Sequence, residues 1–364
     1  MNFYENPKLK IDKTKKANGI VGWKSPSNIA LIKYWGKYGN QLPLNPSISF
    51  TLSQAYTQTT IEYKQKKVDN DKIDIDFYFE GKLKPEFARR INRYFSNLID
   101  IFPFLTQLKF EINSDNSFPH SSGIASSASS MSSLALSLCS IERNIFEKEI
   151  STKDFFQKAS FIARLGSGSA CRSIYPKAAL WGQTTEIKDS TDFYAIPFGQ
   201  YMHDSFKKFH DDILIVSKNA KSKSSSDGHA IMSNHIFKEG RKLQANKRLF
   251  FILKALKTGD YEKFGEIVEN EAFTLHGLMM SSDPAYVLME PNTLKIINQI
   301  KSFRKNKNIP VYFSLDAGPN VHLLYPDEFA PQVQNFIDSN LVKFCKDGDY
   351  IKDYMGSGPK ELDF

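Results

Sequence analysis

Apolar and polar positions alternate at Ile61 and Tyr63 and again at Ile73, Ile75, Phe77 and Phe79. That period of two predicts strands across residues 48–79, with the polar stretch 64–72 as a hairpin-like connection between them. The spacing then turns helical, and residues 87–102 predict a helix. Ala128, Met131, Leu134, Ala135, Leu138 and Ile141 fall on one helical stripe. Thr152 can cap a helix that carries Phe155, Phe156, Ala159, Ile162 and Ala163 on one face. Residues 213–216 predict a short buried strand, and helices are expected over 229–258, 261–280 and 291–303. Val311, Phe313 and Leu315 alternate in a strand at 310–315, and a second strand at 321–324 follows a tight Ala-Gly-Pro-Asn turn. Helices and strands mix without strict βαβ alternation, which predicts an α+β fold. At about 150 residues per domain, a chain of 364 residues predicts two. The basic, turn-rich stretch 203–211 marks the expected boundary, dividing the chain into 1–205 and 206–364.

Composition narrows the class more than the function. Hydrophobic residues make up 41% and charged residues 24%, which excludes global disorder, and 29 Phe and 16 Tyr predict a core rich in large rings. The formal charge of +8 suits nucleic acid, a membrane surface or small anionic substrates equally and so selects none of them. Lys8, Lys10, Lys13, Lys15 and Lys16 come closest to a basic arm, but Asp12 interrupts them and they read as a solvated tail. No nucleic-acid partner is expected. Cys139, Cys171 and Cys345 form no CxxC, which argues against a disulfide framework and a zinc ribbon. No apolar signal region and no run of about 18 apolar residues occurs, so the expected compartment is the cytoplasm and no membrane span is expected.

The common nucleotide motifs fail. No GxxxxGK[ST] is present, Gly166 and Gly168 begin a GxGxxG whose third position is Cys171, and no metal-ligand cluster of His and Cys stands out. What does occur is PHSSGIASSASSMSSLAL, residues 119–136, where small side chains run into an amphipathic helix. Gly123 frees the backbone, and Ser126 and Ser127 stand where the helix begins. First-turn N–H groups can approach an anion closely there, although the composition alone fits a serine linker as well. In ARLGSGSACRS, residues 163–173, Arg172 sits among Ser167, Ser169, Ser173 and two glycines, a carboxylate or phosphate clamp or else a helix end with a surface arginine. In PSNIALIKYWGKYG, residues 26–39, an apolar strand delivers Lys33, Tyr34, Trp35 and Lys37. In SLDAGPNVHLL, residues 314–324, Asp316 ends a strand before a Gly-Pro turn.

In that setting the segments NIALIKYWGK, GIASSAS, GSGSACRS and DAGPN together resemble the diphosphomevalonate decarboxylase family of the GHMP kinase superfamily. SSSDGHAIM and EAFTLHGLMMSSDPAYVLMEPNTL extend the resemblance to nearly the whole chain. GIASSAS alone is common to GHMP kinases; NIALIKYWGK with SACRS and DAGPN is specific to the decarboxylase branch. The resemblance implies a two-domain GHMP kinase fold with the active site in the inter-domain cleft. It implies ATP-dependent decarboxylation of mevalonate 5-diphosphate to isopentenyl diphosphate, with ADP, phosphate and CO2, in the mevalonate pathway of isoprenoid biosynthesis. ATP is then a co-substrate, Mg2+ the metal, and the enzyme a homodimer.

Carried over residue by residue, Asp316 would orient or deprotonate the 3-hydroxyl, and Lys33 would stabilise the transferring phosphoryl group. Arg172 and Asn28 would hold the substrate carboxylate, and Tyr34, Lys37, Ser167 and Ser169 would contact substrate or its diphosphate. Ser121, Ser122, Gly123, Ser126 and Ser127 would line the ATP phosphate loop, and Lys221 or Lys223 would close over ATP. Phosphoryl transfer needs positioning and cationic stabilisation more than covalent help, which suits this residue set. The sequence departs from the family where Pro176-Lys177 replaces a Gly-Gly pair, where Ser130 replaces a glycine of the phosphate loop, and at His120. The rivals are a phosphomevalonate decarboxylase, a small-molecule kinase such as a mevalonate 3-kinase, and, more remotely, a non-catalytic GHMP-fold sensor. A monophosphate and a diphosphate substrate both need cations at the 5-phosphate end, so these residues leave that choice open.

Overall fold

A computed structural model describes residues 3–12, 14, 16–67, 70–118, 126–147, 149–219 and 225–364. Strand β1 (Asn18–Ala30) runs antiparallel to the long β2 (Ser47–Gln65). Then come β3 (Asp74–Phe79), helix α1 (Pro85–Ser96) and β4 (Leu108–Asn116). The stretch 64–72 is not a hairpin: β4 pairs antiparallel with β2 and parallel with β3, so it lies between them. A parallel pair needs a crossover, and α1 supplies it. That helix ends at Ser96 rather than 102, where the chain turns into a 3-10 segment opening on Pro103.

Helices α2 (Ser126–Phe146) and α3 (Thr152–Gly166) cover one face of this sheet. The predicted apolar stripe of α2 is buried, with Leu134, Ala135, Leu138 and Ile141 in the same core cluster as Phe95, Phe110 and Ile112. The serines of α2 mostly serve packing. Ser129 meets Thr57 at 2.6 Å, Ser133 meets Thr59 at 2.8 Å, Ser132 meets Ser25, and Ser140 accepts from Trp23 Nε1 at 3.0 Å. Small side chains let the helix settle close to the sheet, and each buried hydroxyl finds a partner. The cap of α3 is Ser151, whose Oγ accepts from Asp154 N–H at 3.1 Å; Thr152 is the first helical residue.

After β5 (Ala178–Trp181), which pairs with the start of β2, the chain enters a smaller sheet through β6 (Phe209–Leu214). The helix expected over 229–258 is broken into α4 (Ser225–Ile231), a 3-10 turn and α5 (Lys238–Thr258). His235 makes the break: its Nδ1 accepts from Phe237 N–H at 3.1 Å and its Nε2 bonds the Leu278 carbonyl at 3.0 Å. Helices α6 (Tyr261–Met280) and α7 (Pro291–Lys307) follow, then β7 (Tyr312–Leu315) and β8 (Val321–Pro326). With β9 (Tyr350–Ile351) the small sheet has the order β7-β8-β6-β9. No helix among the described residues is long and apolar enough to cross a membrane.

The two sheets share a core. Ile29, Ile48 and Phe50 pack in one apolar cluster with Phe209, Leu249 and Phe264, and Phe50 stacks on Phe264 at 5.8 Å. A second tie comes from the C-terminal segment. Between the pairs Pro26↔Tyr56 and Asn28↔Thr51 the register of β1 and β2 breaks, leaving residues 52–55 of β2 without ladder partners on β1. The orphaned N–H groups of Ser53, Gln54 and Ala55 donate to the buried Asp353 carboxylate at 2.8, 2.8 and 2.7 Å. Beyond it, Gly356 exchanges backbone bonds with Thr51 and Lys177, and β10 (Lys360–Glu361) pairs with β1 at Trp23 and Lys24. Lys177 has φ of 61°, the left-handed conformation that a glycine adopts without strain. The lysine thus takes the backbone shape that the replaced Gly-Gly pair would favour.

Asp353→Ala should destabilise the protein by at least ~3 kcal/mol, because a buried donor without an acceptor costs about 1–3 kcal/mol. Lys177→Gly should stay within about 1 kcal/mol of wild type, since glycine relieves the positive φ but frees the unfolded chain. Urea titration of the three proteins checks both.

Candidate active site

Past the irregularity at Pro26, β1 leads into Leu31 and Ile32, whose N–H groups both reach the Ile48 carbonyl, and then into Lys33. Lys33 is only 2% exposed. Its Nζ donates to Ser314 Oγ at 2.9 Å and lies 3.7 Å from Asp316 Oδ1. Burial pulls its pKa down, and the negative charges of Asp316 and Glu271 oppose that. Its main chain is held from elsewhere. Lys33 N–H donates to Glu271 Oε2 at 2.8 Å, and its carbonyl accepts from Arg241 Nη2 at 3.0 Å and Asn45 Nδ2 at 3.1 Å.

Asp316 follows β7 at the mouth of the tight turn. Its carbonyl accepts from Gly318 N–H at 2.7 Å and is 3.1 Å from His276 Nε2, which must carry the proton of that contact because a carbonyl only accepts. The carboxylate side chain is 29% exposed, so it faces both Lys33 and open space.

Arg172 sits in the 3-10 segment Gly168–Ile174 that follows α3. Its Nε donates to Ser49 Oγ at 3.0 Å and its Nη2 to Asn28 Oδ1 at 3.4 Å. Asn28 is oriented for this because its Nδ2 donates to Ser173 Oγ at 2.7 Å and to the Ser169 carbonyl at 3.2 Å. The guanidinium lies 5.8 Å from the Trp181 ring centroid, and its buried Nη1 has no partner among the described residues. Tyr34 also has a buried hydroxyl without a partner among the described residues, and burial raises its pKa. Its ring packs on Trp181 at 4.8 Å and on His229 at 4.3 Å. A Cβ at Gly168 would stand 2.7 Å from the Tyr34 hydroxyl and 2.8 Å from the Trp181 ring, so any side chain there would push these rings aside. Two unfilled buried donors, one on the guanidinium and one on Tyr34, fit an anion with several oxygens.

The structure therefore brings Lys33, Asp316, Arg172, Asn28 and Tyr34 into one connected region. Ser127 Oγ, in the first turn of α2, lies 3.4 Å from Ser167 Oγ, which joins the serine helix to the arginine segment, and Ser126 gives its carbonyl to Ser129 and Ser130. Ser169 contributes its carbonyl to Asn28. Lys37 instead donates to Gln41 Oε1 at 2.9 Å, and burial lowers its pKa. Ser121, Ser122, Gly123, Lys221 and Lys223 lie outside the described residues.

The sequence reading missed Glu271, Arg241, Ser314 and His229. Glu271 had a signal: it falls on the stripe Phe264, Val268, Leu275 and Leu278 of α6, where a charge needs a partner. His229 accepts from Gly36 N–H at 2.9 Å through Nδ1, and burial drives its pKa down to about 3, so it is a neutral ring with the proton on Nε2. Among the described residues no group of three or more His, Cys, Asp or Glu could hold a metal ion. The partly exposed Asp316 carboxylate offers a hard oxygen ligand that suits an ion arriving on phosphate oxygens, as Mg2+ commonly does.

Two family descriptions match this chain. Residues 25–192 match the diphosphomevalonate decarboxylase-like N-terminal domain, and residues 212–360 match the mevalonate 5-diphosphate decarboxylase C-terminal domain. The diphosphomevalonate decarboxylase of Candida albicans is 29% identical over 318 residues, 84% of this chain and 83% of that one. The phosphomevalonate decarboxylase of Haloferax volcanii is 26% identical over 331 residues, 89% of this chain and 91% of that one. Among solved structures, MDDEF in complex with MVAPP, AMPPCP and magnesium superposes with a TM-score of 0.79 at 26% identity, covering 96% of this chain and 100% of that one. The matches span both sheets and every segment that builds the site, and the chain belongs to the diphosphomevalonate decarboxylase family.

Proposed function

We propose that Asp316, Lys33 and Arg172 carry out the ATP-dependent decarboxylation of mevalonate 5-diphosphate to isopentenyl diphosphate, with release of ADP, phosphate and CO2. The observation that carries this reading is a buried ammonium 3.7 Å from a partly exposed carboxylate. Asp316 accepts the hydrogen bond of the tertiary 3-hydroxyl and orients its oxygen toward the γ-phosphate. Lys33 neutralises charge on the transferring phosphoryl group. The free Nη1 of Arg172 holds the substrate carboxylate until the 3-phosphate departs and the carbon–carbon bond breaks, and Asn28 helps fix it by orienting the guanidinium through Oδ1.

Tyr34, Lys37, Ser167 and Ser169 contact the rest of the substrate. Ser126 and Ser127, with 121–123 and Lys221 or Lys223 outside the described residues, receive the ATP phosphates. Mg2+ bound to the nucleotide phosphates supplies charge neutralisation when present. The MDDEF complex, which contains an ATP analogue, magnesium and MVAPP, supports this assignment of ligands. The family reading also carries a cytoplasmic homodimer, divided into units 1–205 and 206–364.

The second reading, a phosphomevalonate decarboxylase, rests on the Haloferax volcanii relative, which matches at nearly the same identity. The test is incubation with ATP, Mg2+ and each of mevalonate, its 5-phosphate and its 5-diphosphate, with ADP and CO2 measured separately. The 5-diphosphate should give both products in equal amounts. CO2 from the monophosphate alone would favour the second reading, and ADP without CO2 would make the chain a kinase.

Asp316→Asn should lower kcat by at least ~10²-fold while nucleotide binding, followed by fluorescence titration, stays intact. Arg172→Lys should cost roughly 1.5–3 kcal/mol in kcat/KM, because an ammonium replaces a planar fork at a charge-assisted contact. Binding of an analogue that lacks the carboxylate should be unchanged in that variant. Equal losses for substrate and analogue would move Arg172 to the phosphate end.

A further inference from the structure

We propose that the buried Arg241–Glu271 pair is the positioning device for Lys33, and that Arg248, which shares the same carboxylate, is not part of it. The inference rests on the role given to Lys33 above. Lys33 lies beyond the paired part of β1, so its peptide groups have no sheet ladder to fix them. One ion pair from α5 and α6 replaces that ladder. Arg241 Nη1 donates to Glu271 Oε1 at 2.7 Å and its Nη2 to Oε2 at 2.6 Å, while the same Nη2 reaches the Lys33 carbonyl at 3.0 Å. Glu271 Oε2 in turn accepts from Lys33 N–H at 2.8 Å. Both main-chain groups of one residue are thus read by a single planar fork and its carboxylate. With the main chain fixed on both sides, and Asn45 adding a second bond to the carbonyl, where Nζ arrives is set by the side chain, Ser314 and Asp316.

Stability alone does not account for this arrangement. Both partners are buried, and a buried ion pair is commonly no more stabilising than apolar residues of the same volume. Arg241 Nε is moreover left without a partner among the described residues, a cost that apolar packing would avoid. Arg248 shows what a purely structural arginine does here. Its Nη1 bonds Glu271 Oε1 at 2.7 Å and Thr274 Oγ1 at 2.8 Å, within α6, and it makes no bond to Lys33. The carboxylate also acts on the ammonium through space: the negative charge of Glu271 offsets part of the burial that lowers the Lys33 pKa.

The experiment compares Arg241→Lys, Arg248→Lys, Glu271→Gln and Lys33→Met, each in the full chain, by steady-state kinetics across pH and by thermal melting. Arg241→Lys should lower kcat roughly 10–100-fold with both KM values within about twofold, as a small misplacement of a reacting group does. Arg248→Lys should melt earlier with kcat near wild type. Glu271→Gln removes a negative charge that holds the Lys33 pKa up, so the alkaline limb of kcat should move to lower pH. If Arg241→Lys does not fold, Glu271→Gln decides through its kcat at the pH optimum: a loss with both KM values kept supports the positioning role, and near-normal kcat overturns it. Equal kcat losses in Arg241→Lys and Arg248→Lys would also overturn it, and an unmoved alkaline limb would overturn the through-space effect of Glu271. Normal turnover of Lys33→Met would overturn the role assigned to Lys33 itself. Impaired Lys33→Met beside unimpaired Arg241→Lys would sink the positioning claim alone.

Discussion

A positive charge kept out of water is the constraint around which this molecule is arranged. A buried ammonium without partners would shed its proton, and the neutral amine could no longer counter phosphate charge. Lys33 therefore needs an anion in front, a hydroxyl beside its nitrogen and a further negative charge behind. These come from Asp316, Ser314 and Glu271, on two different elements of the second half of the chain. The shared apolar core and the tight fit between the two sheets follow from the same need, because neither half supplies the whole environment. Arg172 faces the same difficulty with another solution: a guanidinium keeps its charge when buried, so two hydroxyl or amide oxygens and an aromatic ring suffice, and Nη1 remains for a ligand.

The residues proposed to do the chemistry stood out because their signals are local. Asp316 ends a strand before a turn, Lys33 ends an apolar run, and Arg172 stands among serines and glycines, and each pattern needs only about ten residues of context. The α+β class and most helices were legible for the same reason. What was not legible depends on distance along the chain. The strand 108–116 alternates as clearly as its neighbours, through Leu108, Phe110 and Ile112, but its insertion between two strands already placed side by side is a matter of topology. The break at His235 depends on the Leu278 carbonyl, and the meaning of Glu271 depends on Arg241 and on a lysine in the other half.

The serine run shows how one composition can serve two purposes. Read as a phosphate loop, it predicts exposed hydroxyls. In the folded chain the part after Ser127 is largely a dry seam in which Ser129, Ser132 and Ser133 pair with Thr57, Ser25 and Thr59. Small polar side chains suit both tasks, since each requires two backbones, or a backbone and an anion, to come close. Ser127, in the first turn of the helix, instead meets the arginine segment through Ser167.

The lacing by residues 353–361 bears on how the protein is made. The N–H groups of Ser53, Gln54 and Ala55 and the outer edge of β1 are among the earlier parts of the chain to leave a ribosome, and their partners are about 300 residues downstream. Until that segment is made, any early-formed sheet keeps a kinked strand with unsatisfied N–H groups and an open edge, the kind of surface that invites pairing with another nascent chain. Bonds from residues 353–361 thus close a sheet whose strands were made about 300 residues earlier, and translation through that segment ends its exposure.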